Sequence, residues 1–178
     1  MVRCIVIGKD NSGKTIFCKN FSKFLHPKNK KNETLTQKNL TNYKINIKNE
    51  EIYLIDSVSI DSGIDKSERR RRERTKTLYA LIEAEIIIHI IDATDFSFDG
   101  IDKYILDYGM TKDKYLVLLN KTDKIHDNNL MKNMIRTYPK INIFNISAKK
   151  RIGFNNVKTC LRHMISCDKI HRKNYFGW

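Results

Sequence analysis

No run of about 18 consecutive apolar residues occurs in this chain of 178 residues, which excludes a membrane-spanning helix. The four cysteines, Cys4, Cys18, Cys160 and Cys167, lack C-x-x-C spacing. They read as reduced core thiols of a cytosolic protein rather than as zinc ligands or disulfides. Acidic residues are also short, 20 against 34 Lys and Arg, leaving a formal charge of +14. Such an excess points to a polyanionic partner, RNA or an anionic membrane face. It needs discounting, because Lys, Asn and Ile are raised together, as an AT-rich coding sequence would produce. There is no internal repeat and no second apolar core, so one domain is expected over residues 1–168, with a basic, aromatic tail over 169–178. The first strand begins almost at Met1, where no leader is expected, and neither Met1-Val2 nor Phe176-Gly177-Trp178 fits a lipidation pattern. The expected location is the cytoplasm.

What is present begins with Gly8-Lys9-Asp10-Asn11-Ser12-Gly13-Lys14-Thr15, which fits G-x-x-x-x-G-K-[ST]. The apolar run Cys4-Ile5-Val6-Ile7 precedes it as a buried strand, and Ile16, Phe17, Phe21, Phe24 and Leu25 follow at helical spacing. In such a loop consecutive N–H groups curl around phosphates at the positive end of a helix. Lys14 can reach the β- and γ-phosphates, the Thr15 hydroxyl can bind Mg²⁺, and Gly8 and Gly13 stand where a Cβ would crowd the ligand. A chance glycine turn is the plainer reading, and the four filled positions between strand and helix argue against it.

Residues 26–41 are polar and aperiodic, long for a loop, and read as a mobile functional segment. Tyr43-Lys44-Ile45-Asn46-Ile47 alternates as an edge strand, turns at Asn49-Glu50, and returns through Ile52-Tyr53-Leu54-Ile55 to Asp56 as an antiparallel hairpin. Residues 57–66 form a second polar loop. Residues 67–83 read as a helix that starts basic at Arg69, Arg70, Arg71, Arg72 and Arg74 and becomes amphipathic at Leu78, Leu81 and Ile82. Ile86 to Ile91 is a central strand in which His89 reads as a satisfied core histidine. Phe98, Ile101, Ile105 and Tyr108 mark a helix, residues 115–119 a strand, 130–138 a helix ended by Pro139, and 141–146 the last strand. Val157, Cys160, Leu161, Met164 and Ile165 mark the last helix. Strands alternating with helices give a mostly parallel, doubly wound α/β sheet.

Ligands in such sheets bind beyond the carboxyl ends of the strands. The phosphate loop, Asp56, residues 120–123 and residues 147–149 each follow an apolar strand and should converge there. Asn120-Lys121-Thr122-Asp123 has the form N-K-x-D. A carboxylate at Asp123 can accept from both N1–H and the 2-amino group of guanine, a donor pair that adenine lacks. Asn120 can bond the base's other polar edge and the loops around it, and the stem of Lys121 can lie over the base plane. Ser147-Ala148-Lys149 supplies a backbone N–H toward O6 and a further apolar stem.

Over residues 2 to about 168 these motifs resemble the GTPase superfamily, and within it the Era and TrmE group of translation-associated GTPases. The resemblance implies the P-loop G-domain fold: six mostly parallel strands, one antiparallel edge strand and helices on both faces. It implies GTP and GDP as ligands, Mg²⁺ bound by Thr15 with Asp56 acting through water, and a switch I threonine. Thr41 is our choice for that threonine, with Thr34 and Thr36 as alternatives. It also implies K⁺ held by Asn11, three residues before Lys14. Asn11 can equally serve a tight loop conformation.

The chain departs from the family pattern where D-x-x-G is expected, reading Asp56-Ser57-Val58-Ser59. Ser59 replaces the glycine whose N–H meets the γ-phosphate, Ile60 stands where many GTPases carry glutamine, and Gly63 is a candidate pivot. The expected function is a slow GTPase switch acting on RNA or the ribosome, with Lys14 as the electrostatic catalytic group and no general base identified. The alternative is a GTP-binding interaction module that does not hydrolyse. The arginine run opposes the helix dipole, which favours a phosphate-backbone partner for it.

Overall fold

The computed structural model describes residues 2–27, 34–37, 40–59, 67–97, 100–125 and 129–175, with the backbone alone at 34–37 and 167–175. Seven strands form one sheet in the order β2-β3-β4-β1-β5-β6-β7. They are β1 (Val2–Ile7), β2 (Thr34–Gln37), β3 (Leu40–Ile47), β4 (Glu50–Asp56), β5 (Ile86–Asp92), β6 (Tyr115–Asn120) and β7 (Asn142–Asn145). The helices are α1 (Lys14–Leu25), α2 (Glu68–Glu83), α3 (Ile101–Gly109), α4 (Asn129–Thr137) and α5 (Phe154–Tyr175). From β4 through β1, β5 and β6 to β7 every pair is parallel, whereas β2-β3 and β3-β4 are antiparallel.

The P-loop G-domain architecture is therefore present, with β2 added outside the six expected strands. Residues 34–37, expected within a loop, pair with β3, so the strand through Tyr43 is not the edge. A left-handed pair, Lys48 and Asn49 at φ 53° and 64°, turns β3 into β4 as a primed hairpin turn does. At the other end α5 runs on to Tyr175 through the first part of the expected tail, and Phe176 and Trp178 lie outside the described residues. Phe98 lies outside them too. No described helix is long and apolar enough to cross a membrane.

Because side chains alternate along a strand, the sheet buries two separate layers. One face carries Cys4, Val6, Leu54, Ile88 and Leu116 against α1 and α5; the other carries Ile5, Ile7, Ile87, Val117 and Leu119 against α2, α3 and α4. Phe154 holds the first layer together. Phe17, Phe21 and Phe24 present their rings edge-on to it at 5.6, 5.3 and 5.6 Å. Such pairs add about 0.5–1.5 kcal/mol beyond area burial.

Helix α2 sits differently from its sequence reading. Thr77 and Ala80 face the sheet, while Leu78 and Ile82 are 54% and 74% exposed and Leu81 is half-buried. The smaller pair lets the helix lie close, and the larger side chains are left on the outside. The helix opens on an N-cap, Ser67, whose hydroxyl accepts from the Arg70 N–H. Its arginines are partly neutralised within the helix, since Arg69 pairs with Glu73 at 3.0 Å and Arg72 pairs with Glu68.

Truncating Phe154 to alanine removes the ring that three others pack on. The expected loss is about 3–5 kcal/mol of unfolding free energy by urea denaturation. The same change at exposed Tyr104 should cost under about 0.5 kcal/mol.

Candidate nucleotide site

The chain crosses from β4 to β5 around β1, so the loop after β1 stands at the switch point of the sheet. A cleft of about 590 Å³ opens there, within the range of small-ligand sites. Asp10, Asn11, Gly13, Lys14 and Thr15 line one wall, Ser59 another, and Asn120, Lys121, Asp123, Ser147, Ala148 and Lys149 the far end. Gly8 and Ser12, also of the loop, are buried. Thus the phosphate-type and base-type motifs meet in one space, as their positions after strands predict.

Both loop glycines are enforced by their surroundings. Gly8 has φ +147° and its Cβ would stand 2.2 Å from the Ile90 carbonyl oxygen; Gly13 has φ +100° and its Cβ would stand 2.3 Å from Asn120 Nδ2. Asn11 also adopts a left-handed backbone, φ 59°, which asparagine tolerates better than most residues.

Asn120 bonds the loops around it, one of the two roles its sequence position allows. Its Nδ2 donates to the Ser12 carbonyl at 2.7 Å and its Oδ1 accepts from the Ala148 N–H at 2.9 Å. It staples the phosphate loop to the loop after β7. Asn20 adds a second tie, donating to the Ala148 carbonyl at 2.9 Å, and Thr122 Oγ1 donates to the Ile146 carbonyl at 2.9 Å. Asn20 carried no motif, and only its place one face along α1 could have marked it.

Lys121 takes a left-handed backbone and its ammonium pairs with Asp92 at the end of β5. Burial works most strongly, to raise the Asp92 carboxyl, but the bonds from Lys121 and Thr94 together outweigh it and hold the group below its ordinary value. Anchoring the head leaves the stem against the cleft. Asp123 is held below the usual carboxylate range by the Ser147 hydroxyl and then by Lys150, whose Nζ lies 3.3 Å away. An ionised carboxylate is what a paired donor edge requires. Asp92 and Lys150 went unnoticed in the sequence, although Asp92 ends an apolar strand as Asp56 does.

Lys14 is buried and its three ammonium protons are all engaged, by the Lys9 carbonyl at 2.7 Å, the Ser59 hydroxyl at 2.9 Å and the Gly8 carbonyl at 3.0 Å. Burial lowers its pKa, with Asp10 and Asp56 opposing. The Ser59 side chain, rather than its backbone N–H alone, is thus in the site. Asp56 lies beside Thr15, and its Oδ1 is buried without a hydrogen-bond partner. A lone anionic oxygen next to a hydroxyl fits a hard divalent cation such as Mg²⁺. Thr41 lies in β3, in register with Asp56 on one side and with Thr36 on the other, and does not line the cleft; Thr34 pairs with Tyr43. Ile60 and Gly63 lie outside the described residues. Arg69 to Arg74 stand on α2, away from the cleft.

With the geometry in place, the comparisons decide the family. The family of 50S ribosome-binding GTPases matches residues 3–121. The chain belongs to that family. Within it the chain is a P-loop GTPase relative most like Era. GTPase Era of Buchnera aphidicola subsp. Acyrthosiphon pisum (strain Tuc7) is 32% identical over 154 residues, 82% of this chain and 52% of that protein. The chain therefore spans about half the length of the curated relatives it matches. Among solved structures, Era in complex with MgGDPNP and nucleotides 1506–1542 of 16S ribosomal RNA superposes at a TM-score of 0.74 and 22% identity, over 92% of this chain and 56% of that one. The FeoB G-domain from Methanococcus jannaschii gives 0.65 and 17%, over 93% and 97%. At these identities the superpositions speak to the fold alone.

Two outcomes follow from the site. Asn120→Ala leaves the Ser12 carbonyl and the Ala148 N–H buried without partners, and should lower unfolding free energy by about 2 kcal/mol or more in urea, without nucleotide. Lys149→Ala, at an exposed position, should not. The second concerns pH. Burial pushes the Asp56 carboxyl above its ordinary value, against Thr15 and Lys14. A raised group contributes stability that is fully present below the ordinary aspartate range and is lost as pH rises through the raised value. At neutral pH the ionised side chain therefore costs stability, so Asp56→Asn should raise the urea midpoint at pH 7, by an amount that shrinks toward about pH 4.

Proposed function

We propose that this protein binds GTP and GDP with Mg²⁺ in the cleft and hydrolyses GTP slowly to GDP and phosphate, as a cytoplasmic switch on RNA or the ribosome. The observation that carries this reading is the meeting of the phosphate loop with ionised Asp123 in one cleft of about 590 Å³. Guanine is the base because Asp123 can accept two parallel donors, and a site that leaves such an acceptor unpaired rejects the analogue strongly. The loop N–H groups and Lys14 take the phosphates. Thr15 and Asp56 are the residues that would hold Mg²⁺, which supplies charge neutralisation on the phosphate oxygens when bound. As water attacks the γ-phosphorus, negative charge grows on the β–γ bridge oxygen, and Lys14 is fixed where that charge develops. We assign no general base. Asn11 lines the cleft with an exposed side chain, and we assign K⁺ to it as a further positive charge beside the phosphates.

Within residues 1–168 we place the G domain, and beyond it the basic continuation of α5. Thr41 is our switch I threonine, a choice supported by its register with Asp56 across β3 and β4. RNA is the partner we assign to the exposed arginines of α2, supported by the solved Era complex with ribosomal RNA and by the charge of +14. A non-hydrolysing module is the second reading, favoured by the Ser59 hydroxyl on Lys14 where the family has glycine.

Titration calorimetry should show GTP and GDP binding with no ATP binding, and Asp123→Asn should exchange guanine for xanthine nucleotides. ATP bound as well as GTP would sink the guanine assignment. Single-turnover hydrolysis at equal ionic strength in KCl and NaCl separates the two readings: turnover stimulated by K⁺ and lost in Asn11→Ala supports the enzyme. No phosphate release in either salt, alone or with ribosomes added, supports the module.

A further inference from the structure

Behind the phosphate loop, on the side away from the cleft, lies a buried polar chain in an otherwise apolar layer. Tyr115 on β6, His89 on β5 and Asp102 on α3 are all fully buried, within 3% exposure. The His89 Nδ1 lies 2.8 Å from the Tyr115 hydroxyl and its Nε2 lies 3.1 Å from Asp102 Oδ1. The second carboxylate oxygen, Oδ2, meets the Lys9 ammonium at 3.0 Å. Lys9 is the first x position of the G-x-x-x-x-G-K-[ST] loop. It reaches across the start of α3, where a Cβ on Gly100 would stand 3.3 Å from its Nζ.

The protonation pattern follows from the partners. Asp102 as a carboxylate can only accept, so the Nε2 of His89 must carry a proton. Burial lowers the His89 pKa and keeps the ring neutral, which leaves Nδ1 bare to accept the Tyr115 O–H. For Asp102 burial works the other way, but the His89 and Lys9 contacts prevail and hold it ionised. The polar groups of this chain are thereby satisfied, and the buried charge of Asp102 is neutralised by a residue of the loop.

We propose that Tyr115, His89, Asp102 and Lys9 form a positioning device for the phosphate loop. Lys9 does not line the cleft, so its effect there passes through its backbone. Its carbonyl is the shortest contact of Lys14 at 2.7 Å and also accepts from the Ser12 N–H at 3.4 Å. Fixing the Lys9 side chain from behind therefore fixes the carbonyl that aims Lys14 and one end of the turn that shapes the loop. Helix α3 is anchored by the same contact. The loop is thus held at Lys9 from the sheet and at Ser12 by Asn120, at both ends of its curve.

The inference rests on the nucleotide reading for its affinity arm alone. Lys9→Met leaves Asp102 as an unpaired buried charge and should destabilise the fold, so stability by itself decides nothing. The double variant Lys9→Met/Asp102→Asn removes both charges and should recover the melting temperature while the loop stays unanchored. In it, amide hydrogen exchange at residues 8–13 of the nucleotide-free protein should be faster than in wild type. Affinity for a fluorescent GDP analogue should fall by about tenfold, and Lys9→Arg should retain wild-type affinity. Recovery of wild-type exchange together with stability in the double variant would overturn the proposal and leave the chain as core packing. If wild type binds no guanine nucleotide, the function proposed above fails, and the exchange measurement still decides this one.

Discussion

The site depends on one side chain whose amide is engaged by two loops at once. Asn120 donates across to Ser12 and accepts from Ala148, so a single amide holds the loop after β1 against the loop after β7. Those loops leave strands separated in the sheet by β5 and β6. No strand pairing joins them, and their mutual distance sets the length of any molecule that spans from phosphate end to base end. Gly13 is drawn into the same constraint, because any Cβ there would occupy the place of the amide nitrogen. The first letter of N-K-x-D is in this protein a structural strut, while the fourth, Asp123, is held ionised at the far end of the cleft.

Much of this was legible in the sequence, for a local reason. An apolar run that stops at a Gly, Asp or Asn marks the carboxyl end of a buried parallel strand, and the parallel sheet places all such ends on one edge. That reasoning located residues 8–15, 56, 120–123 and 147–149 without any knowledge of pairing. It failed where a long-range partner decides. Thr34 to Gln37 is short and polar, and becomes a strand only because β3 offers an open edge. Helix α2 was recognised by its period, yet a period does not say which stripe meets the sheet. Thr77 and Ala80 won that contact because small side chains permit the closer approach, leaving Leu78 and Ile82 outside.

His89 shows the limit in another form. A histidine inside an isoleucine-rich strand reads correctly as a satisfied core residue, and the structure bears that out. What satisfies it could not be read, since Asp102 lies 13 residues on in a helix and Tyr115 26 residues on in the next strand. Polar groups buried in a sheet layer must be paired as a set, and sets of this kind have no sequence spacing of their own.

The departure at Ser59 has its consequence in the proton count of Lys14. An ammonium has three protons, and in this state each has an oxygen. A phosphate oxygen can reach Lys14 only by taking one of those places. The Gly8 and Lys9 carbonyls belong to the loop itself and are fixed by β1 and by the Lys9–Asp102 contact. Ser59 is the side-chain partner, carried three residues past the end of β4. A phosphate oxygen taking that place would displace the Ser59 hydroxyl from Lys14. A glycine at this position has no hydroxyl and could not compete. The substitution that puts the family's usual contact in question thus supplies a different link between the loop and the chain that follows β4.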